Sequence, residues 1–361
     1  MVAPWRGWTW FACLLLLASV GLGCQSASPA PAPASGRGEA QAPAAPAATS
    51  APRVESIRIV HSTRNGSQAI GALLVDSGLL AENGLEGTLI HVDGPARAIA
   101  ALVGGDVDVA LMGGETALSA AVEGAPIVVV GGFLNRRDHI LFAVPEVTDL
   151  AALRGKRVGI NGVTSADQRA VAEALQYAGF DPQDVIWVVQ AGGPATRLAG
   201  IQAGAADAIA LQPPLTARAR AMGLRELAQT GASGRELPVN AVVASRSGVA
   251  ERPDVYRRFL RAMTQGIHLV RTQPEVATQS LAKFLDLDPE TNRADLEDTR
   301  AHYAALYPNL PYPPLDGYRQ ALEELVETNP RAADYRLADA IDDRFVREIE
   351  AGGLERQLYG R

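Results

Sequence analysis

The sequence predicts an α/β protein built of two related lobes, each a parallel sheet covered by helices. Three observations support this fold class. Strand-like apolar runs alternate with amphipathic stretches, which is typical of β-α-β units. The chain carries a weak internal repeat with a shift of 99 residues, as from Arg58 to Arg157. Its length of 361 residues suits about two domains.

The composition excludes several classes of protein. Charged residues make up 20% of the chain, hydrophobic residues 47%, and the formal net charge is −7. Neither a disordered chain nor a multi-span membrane protein fits these values. The mild acidic excess, without a run of Lys or Arg, argues against nucleic acid as a partner. Cys13 and Cys24 are the only cysteines, so the rest of the chain has no disulfide framework and no Cys-based metal site.

The first 23 residues are predicted to be a signal peptide. Arg6 precedes an apolar stretch at residues 11–22, which is too short for a membrane-spanning helix of about 20 residues. The stretch ends in Gly21-Leu22-Gly23-Cys24 and resembles the lipobox of bacterial lipoproteins, although its Leu stands one place later than in that motif. We predict cleavage before Cys24 and lipidation of its thiol. Ordinary signal cleavage that leaves a free thiol is the alternative.

Residues 25–53 are predicted to be a linker outside the folded body. They include 11 Ala and 6 Pro and show no periodic apolar pattern. A flexible coil of this length reaches about 30 Å, and a polyproline II chain reaches further. We therefore expect an exported protein, anchored by lipid to the periplasmic or extracytoplasmic face of the cell membrane.

The folded body is predicted to contain strands at residues 57–60, 88–92, 107–112, 127–130, 157–160, 186–190 and 208–211. Under the 99-residue shift, the Gly-Pro-Ala turn at 94–96 falls on the one at 193–195, while Gly105 and Asp108 fall on Gly204 and Asp207. Proline suits the first turn of a helix, and Gly-x-x-Asp ends that helix and admits the next strand. Each half therefore has the same predicted order of elements.

Three segments resemble recurring motifs of a known family. They are ALVGGDVDVA at 101–110, LAALRGKRVG at 150–159 and QAGAADA at 202–208. In this order they are similar to the periplasmic substrate-binding proteins of ABC transporters, in the group that binds nitrate, sulfonates, taurine and pyrimidine precursors of thiamine. The resemblance covers residues 57–354. It implies a type II periplasmic binding protein fold, with two Rossmann-like lobes, a two-strand hinge and a ligand cleft between the lobes.

The topology implied by the resemblance makes the first lobe discontinuous. The expected divisions are a signal peptide at 1–23, a linker with lipidated Cys24 at 24–53, the first part of lobe one at 54–143, lobe two at 144–237, and a return to lobe one with C-terminal helices at 238–361. The hinge is expected near 142–145 and 237–240. Helical periodicity at 256–270 and 315–328 predicts helices that pack on lobe one.

Binding is a better interpretation of this sequence than catalysis. No Gly-x-x-x-x-Gly-Lys-Ser/Thr loop, His-Glu-x-x-His helix or Gly-x-Ser-x-Gly elbow occurs. The five histidines lack metal-ligand spacing, and only His61 and His91 fall near cleft strands. We predict no catalytic residue, no metal and no cofactor. The expected partners of a monomeric chain are a small solute, the ABC permease with its ATPase, and the membrane, but not nucleic acid.

The candidate ligand residues lie in loops that follow the predicted strands. Such loops expose unpaired N–H groups at helix starts, and glycine lets a solute approach the backbone. Hydroxyl and amide side chains add hydrogen bonds, although Ser and Thr also favour such positions as helix caps. The candidates in lobe one are Ser62, Thr63, Arg64, Gly113, Gly114, Glu115, Thr116, Phe133 and Asn135. Those in lobe two are Gly162, Thr164, Ser165, Gly192, Gly193 and Gln212.

For three of these candidates, the role in ligand binding depends on where the side chain points. Phe133 offers a stacking face unless it belongs to the core of the lobe. An inward Arg64 suits a sulfonate or carboxylate, whereas an inward Glu115 suits an amine or ring N–H and disfavours nitrate. Because both charged residues lie in cleft loops, a ligand of mixed polarity is favoured.

Two other functions are compatible with this sequence. One is an enzyme on the same fold, similar to the chorismate dehydratase of menaquinone synthesis or to the pyrimidine synthase of thiamine formation. The export signal speaks against the first, which is cytoplasmic. The cysteine-free body speaks against the second, whose iron motif is rich in Cys. The other is a tethered ligand sensor.

Overall fold

The computed structural model describes residues 54–163, 165–191 and 193–360. The strands are β1 Glu55–His61, β2 Leu85–His91, β3 Val109–Met112, β4 Ile127–Leu134, β5 Ile140–Ala143, β6 Arg157–Ile160, β7 Ile186–Val189, β8 Ala208–Leu211, β9 Arg225–Gln229 and β10 Asn240–Ser245. The helices are α1 Ile70–Asp76, α2 Leu79–Glu82, α3 Pro95–Val103, α4 Gly114–Val122, α5 Ala166–Tyr177, α6 Pro194–Gln202, α7 Leu215–Ala221, α8 Arg246–Glu251, α9 Pro253–Thr272, α10 Pro274–Leu285, α11 Arg293–Leu306, α12 Leu315–Val326, α13 Leu337–Ala340, α14 Arg344–Ala351 and α15 Leu354–Tyr359. The predicted signal peptide and linker, with Cys24, lie outside the described residues.

The strands form two five-stranded sheets of the same topology. The first has the order β2-β1-β3-β10-β4 and the second the order β7-β6-β8-β5-β9. Four strands of each sheet run in the same direction, and three of these pair in parallel as predicted, while β10 and β5 are antiparallel to both of their neighbours. We call the first sheet with its packed helices the first lobe, and the second sheet with its helices the second lobe.

The central strands of each sheet, such as β3 and β8, are buried on both faces, which explains the continuous apolar runs in the sequence. Successive side chains of a strand point to opposite faces. In β3, Val109 and Leu111 join one cluster of buried side chains while Ala110 and Met112 join another. In β8, Ala208 and Ala210 face one core of the second lobe, while Ile209 and Leu211 face the other.

The internal repeat is confirmed at the level of single elements. Helices α3 and α6 differ by 99 residues at both ends, and so do strands β3 and β8. A repeated hydrogen bond accounts for part of this: the backbone N–H of Arg58 donates to Asp108 Oδ2 at 2.8 Å, and that of Arg157 donates to Asp207 Oδ2 at 2.8 Å. The hydrogen bond from the Arg157 side chain lowers the pKa of Asp207. The Gly-x-x-Asp turn thus ties β1 to β3 in the first lobe and β6 to β8 in the second.

Three strands were absent from the sequence prediction. Strand β9 is an edge strand with charged residues such as Arg225 and Glu226, so it carries no apolar signal. Strand β5 has four residues, and an apolar run that short does not distinguish a strand from a turn or helix. Strand β10 begins at Asn240, where the sequence prediction places a hinge crossing.

The predicted boundary between the first two segments of the body is wrong by about nine residues. Strand β4 ends at Leu134 in the first sheet, and β5 begins at Ile140 in the second. The chain therefore passes between the lobes at residues 135–139 rather than at 142–145, and the first part of lobe one ends at 134 rather than 143. The return passage lies between Gln229 and Asn240 and includes most of the predicted 237–240 crossing.

The C-terminal helices pack on the first lobe as predicted. Phe259, Met263 and Ile267 of α9 belong to the same buried cluster as Ile57 and Ile59 of β1. Near the C-terminus, Ile341 forms an isolated parallel bridge with Val129 of the edge strand β4. Within the described ranges, no helix combines the length and apolarity that crossing a membrane requires.

Candidate ligand site between the two lobes

The loop after β1 in the first lobe and the loop after β6 in the second are held by the same pattern of hydrogen bonds. In the first lobe the backbone N–H of Ser62 donates to Gln68 Oε1 at 3.0 Å, and in the second that of Asn161 donates to Asp167 Oδ2 at 2.8 Å. The two pairs are related by the 99-residue shift. These two N–H groups are therefore satisfied within the protein. Asp167 in turn lies 3.2 Å from Arg197 Nε, and both side chains are about 95% buried.

The three candidates after β1 have different environments. Ser62 is buried and its hydroxyl accepts from Gln68 Nε2 at 3.3 Å. Thr63 and Arg64 are exposed. Gln68 Nε2 also lies 3.3 Å from Asn240 Oδ1, which joins this loop to the return strand β10. The loop is thus preorganised by a buried amide, since Gln68 Oε1 also accepts from the Thr63 N–H at 3.2 Å, and the Thr63 hydroxyl donates to Asn65 Oδ1 at 3.5 Å.

The candidates after β3 divide into packing and electrostatic roles. Gly114 is buried, and a Cβ there would stand 2.5 Å from Tyr318 Oη and 2.7 Å from Pro238 O. Glycine is required by this packing. Gly113 is half-buried and Thr116 is exposed. Glu115 accepts from Arg169 Nη2 of the second lobe at 3.2 Å and lies 3.7 Å from Arg137 Nη2.

In the second lobe, candidates after β6 and β7 lie close together. The Ser165 hydroxyl donates to Gly162 O at 2.6 Å rather than acting as a helix cap. Gly193 has a φ of 89°, a backbone conformation that favours glycine, and its N–H donates to Asn161 Oδ1 at 3.3 Å. Thr164 and Gly192 lie outside the described residues.

The structure places two candidates at and just after the end of β4 away from an open cleft. Phe133 is fully buried in the core of the first lobe, with its ring centroid 6.4 Å from that of Tyr307, so the predicted stacking role is wrong. Asn135 is buried and donates to Tyr312 O at 2.8 Å. Within the described part of the chain its Oδ1 has no hydrogen-bond partner.

A buried carboxylate, which the sequence analysis missed, joins the lobes at their hinge. Asp138 is 1% exposed, and its Oδ2 accepts from Gln212 Nε2 of the second lobe at 2.6 Å and from Tyr303 Oη of the first at 3.1 Å. His302 Nε2 lies 3.0 Å from Asp138 O, and His139 Nδ1 lies 3.4 Å from Asp138 Oδ1. We call these five residues the Asp138 cluster. Gln212 is therefore bound within the protein rather than facing water.

The cluster keeps Asp138 ionised. Burial by itself would raise the pKa of this carboxyl, but the His139 ring and the Gln212 amide hold the pKa below its usual range. One signal in the sequence was the run Arg136-Arg137-Asp138-His139 between two apolar strands. Four ionisable residues at that point indicate a polar connection.

A third contact joins the lobes through α7 and α11. Asp298 Oδ2 accepts from Thr216 Oγ1 at 2.9 Å and from Arg220 Nη1 at 2.7 Å. Together with Glu115–Arg169 and the Asp138 cluster, this places polar contacts between the lobes at three separate points. No cluster of three or more His, Cys, Asp or Glu suited to a metal ion occurs among the residues described.

We expect Gly114→Ala to lower the free energy of unfolding by about 1–3 kcal/mol, because the added methyl meets Tyr318 and backbone oxygen at close range. Gly162→Ala is the matched control, since a Cβ there meets nothing within 4 Å; its expected change is within about 0.5 kcal/mol. Urea unfolding of both variants measures the difference. Equal losses would contradict the packing role of Gly114.

Two lobes of one topology, joined by two passages of chain and bridged by polar side chains, define a two-lobed binding protein. The chain belongs to the NMT1/THI5-like family, whose family model matches residues 74–277. A curated relative from Brucella abortus (strain 2308), named only as a binding protein, is 27% identical over 248 residues, covering 67% of this chain and 74% of its own.

Solved structures agree on the fold. The alkanesulfonate-binding protein SsuA from Xanthomonas axonopodis pv. citri, bound to MOPS, superposes with a TM-score of 0.57 at 20% identity, over 81% of this chain and 99% of its own. The periplasmic nitrate-binding protein NrtA from Synechocystis PCC 6803 gives 0.61 at 14% identity, over 83% and 90%. These matches confirm the predicted family and fold class.

Proposed function

We propose that this chain is the lipid-anchored solute-binding component of an ABC importer. It captures a small polar solute between its lobes by hinge closure and delivers it to a permease that is driven by an ATPase. The anchor is Cys24, and the linker keeps the lobes clear of the membrane. The observation that carries this proposal is the set of three polar contacts between two lobes of equal topology.

The chemistry of these contacts suits reversible closure. Arg220–Asp298 and Glu115–Arg169 are partly exposed, with side-chain exposures of 37% and 33% for the first pair and 33% and 46% for the second. Exposed ion pairs of this kind each contribute about 0–1 kcal/mol. The closed form is then stable only by a small margin, and a ligand that contacts both lobes shifts the population toward it.

The charges around the cleft favour an anionic or neutral solute. Arg137 and Arg169 neutralise the carboxylate of Glu115. This carboxylate therefore no longer repels nitrate or a sulfonate. SsuA and NrtA, which are similar to this chain in fold, are named as alkanesulfonate-binding and nitrate-binding proteins, and these names support an anionic solute. We propose a sulfonate, taurine-like solute or nitrate first, and a pyrimidine-type solute second.

The test is a calorimetric panel of methanesulfonate, taurine, nitrate and a 4-aminopyrimidine against the full-length chain, combined with small-angle scattering. We expect one class of solute to bind and to reduce the radius of gyration of the protein.

Asp298→Asn, which weakens the Thr216 and Arg220 contacts, should lower the affinity for this solute by about 3- to 10-fold. The exposed Asp334→Asn should leave affinity unchanged. Cys24→Ser should move the protein out of the membrane fraction.

Two results would overturn the proposal. One is a scattering profile that saturating ligand does not alter. The other is chemical turnover of the bound solute, which would establish an enzyme on this fold. Signalling through a receptor without uptake of the solute by cells would instead favour the tethered sensor.

A further inference from the structure

A groove of about 390 Å³ lies on the first lobe alone, beside the edge strand β2. Its lining includes His61, Arg64, His91, Lys283 and Phe284. The lining residues come from β1, β2, α1, α10 and the loop after β1, so the second lobe contributes nothing to it. We call it the β2 groove. Its volume lies within the range of small-molecule sites, about 300–1,000 Å³.

Three aromatic rings that lie side by side in space form one wall of the β2 groove. The ring centroids of His91 and His61 are 4.6 Å apart, and those of His61 and Phe284 are 4.8 Å apart. His61 and Phe284 are 3% and 7% exposed, so packing holds their rings in place. The planes of His61 and His91 are tilted by 35° and those of His61 and Phe284 by 54°, so the wall is stepped rather than flat. Aromatic rings pack favourably in tilted as well as in offset-stacked arrangements, so another aromatic ring can pack against this wall.

The groove also carries positive charge that the fold does not use. Arg64 is exposed and has no hydrogen-bond or ion-pair partner among the residues that the structure describes. Lys283 pairs with Asp76, whose second oxygen accepts from Ser280 Oγ at 2.8 Å. Arg64 is therefore the group whose charge is unbalanced, and a guanidinium binds carboxylate, sulfonate or phosphate in a bidentate manner.

The hydrogen bonds of His61 leave one ring nitrogen for a ligand. His61 Nδ1 lies 2.9 Å from Thr63 O, a carbonyl that only accepts, so this nitrogen carries the proton. His91 Nδ1 lies 3.4 Å from the same atom, and His91 Nε2 lies 3.1 Å from Asp93 Oδ1. Burial lowers the pKa of His61, which favours the neutral ring. Its Nε2 is then an acceptor, with no protein partner in the described ranges.

We propose that the β2 groove is a second ligand site, separate from the cleft between the lobes, for a flat aromatic or heteroaromatic anion. The ring packs against the wall formed by His91, His61 and Phe284, and the anionic group pairs with Arg64 beside Lys283. A ring N–H or O–H donates to His61 Nε2. Because every lining residue belongs to the first lobe, binding here does not require the lobes to close.

The test uses 2-naphthalenesulfonate as the probe, with calorimetry and imidazole NMR on the full-length chain. We expect binding that shifts the ring signals of His61 and His91. Arg64→Gln should weaken it at least fivefold, whereas Arg97→Gln, which removes an exposed charge from the same lobe outside the groove, should change it less than twofold. In the same NMR titration, methanesulfonate and 2-naphthalenemethanol, which lack the ring and the charge respectively, should each shift the His61 and His91 signals with at least fivefold weaker affinity, whether or not methanesulfonate also binds in the cleft.

A second variant separates this site from the cleft. Asp298→Asn, which weakens a contact between the lobes, should leave the affinity for 2-naphthalenesulfonate unchanged. Absence of binding, equal effects of Arg64→Gln and Arg97→Gln, unmoved histidine signals, or a loss of affinity in Asp298→Asn would each overturn the proposal. Phe284→Leu keeps an apolar side chain and should weaken the naphthalene probe but not methanesulfonate.

Discussion

Asp138→Ala is expected to lower the free energy of unfolding by about 2–4 kcal/mol. The change removes the shared acceptor of Gln212 Nε2 and Tyr303 Oη. A buried donor left without a partner costs about 1–3 kcal/mol, and Tyr303 is only 2% exposed. Urea unfolding measures the loss. Asp334→Ala, which removes an exposed carboxylate of the same size, is the control and should change stability by less than about 0.5 kcal/mol.

The same carboxylate predicts a dependence of stability on pH. The folded-state pKa of Asp138 is held below its usual value, so the unfolded chain takes up the proton first as the pH falls. Its contribution to stability is therefore present above about pH 5 and is lost as the pH falls through about 4 and below. Asp138→Asn should flatten this part of the acid profile. An identical profile in wild type and Asp138→Asn would contradict the assignment.

Arg197→Met is expected to lower the free energy of unfolding by about 3 kcal/mol. Arg197 and Asp167 lie 3.2 Å apart with side chains 6% and 5% exposed. Removing the cation leaves a buried carboxylate uncompensated, which typically costs about 3–5 kcal/mol. The lower end applies because Asp167 keeps its hydrogen bond from the Asn161 N–H, at 2.8 Å.

A double-mutant cycle tests the pairing directly. Asp167→Asn with Arg197→Met should recover about 1–2 kcal/mol of the loss, since no uncompensated charge remains. Arg336→Met is the control: Arg336 and Asp339 form a pair at 3.6 Å with side chains 77% and 50% exposed, and such pairs contribute about 0–1 kcal/mol. If Arg197→Met and Arg336→Met destabilise equally, the buried pair is not what holds the second-lobe loop.

The loops of the candidate site could be predicted from the sequence, but the residues that hold these loops could not. Loops after β1 and β6 were located correctly because strand ends and glycines are local features. The partners of those loops were not: Gln68 holds one loop and Asp167 the other, and neither was a candidate. Phe133 was assigned to the cleft from its position after a strand, but the packing of α9 and α11 buries it in the core.

The alternation of strands and helices, the repeat at 99 residues and the family could all be predicted from the order of residues along the chain. These depend on the period of apolar residues and on turn residues such as Gly94 and Gly193, whose φ values are 86° and 89°. The place where the chain passes between the lobes, and the role of Asp138 in joining them, became visible only in the folded protein. The physical reason is separation along the chain: Asp138, Gln212 and Tyr303 come together only when both sheets are complete.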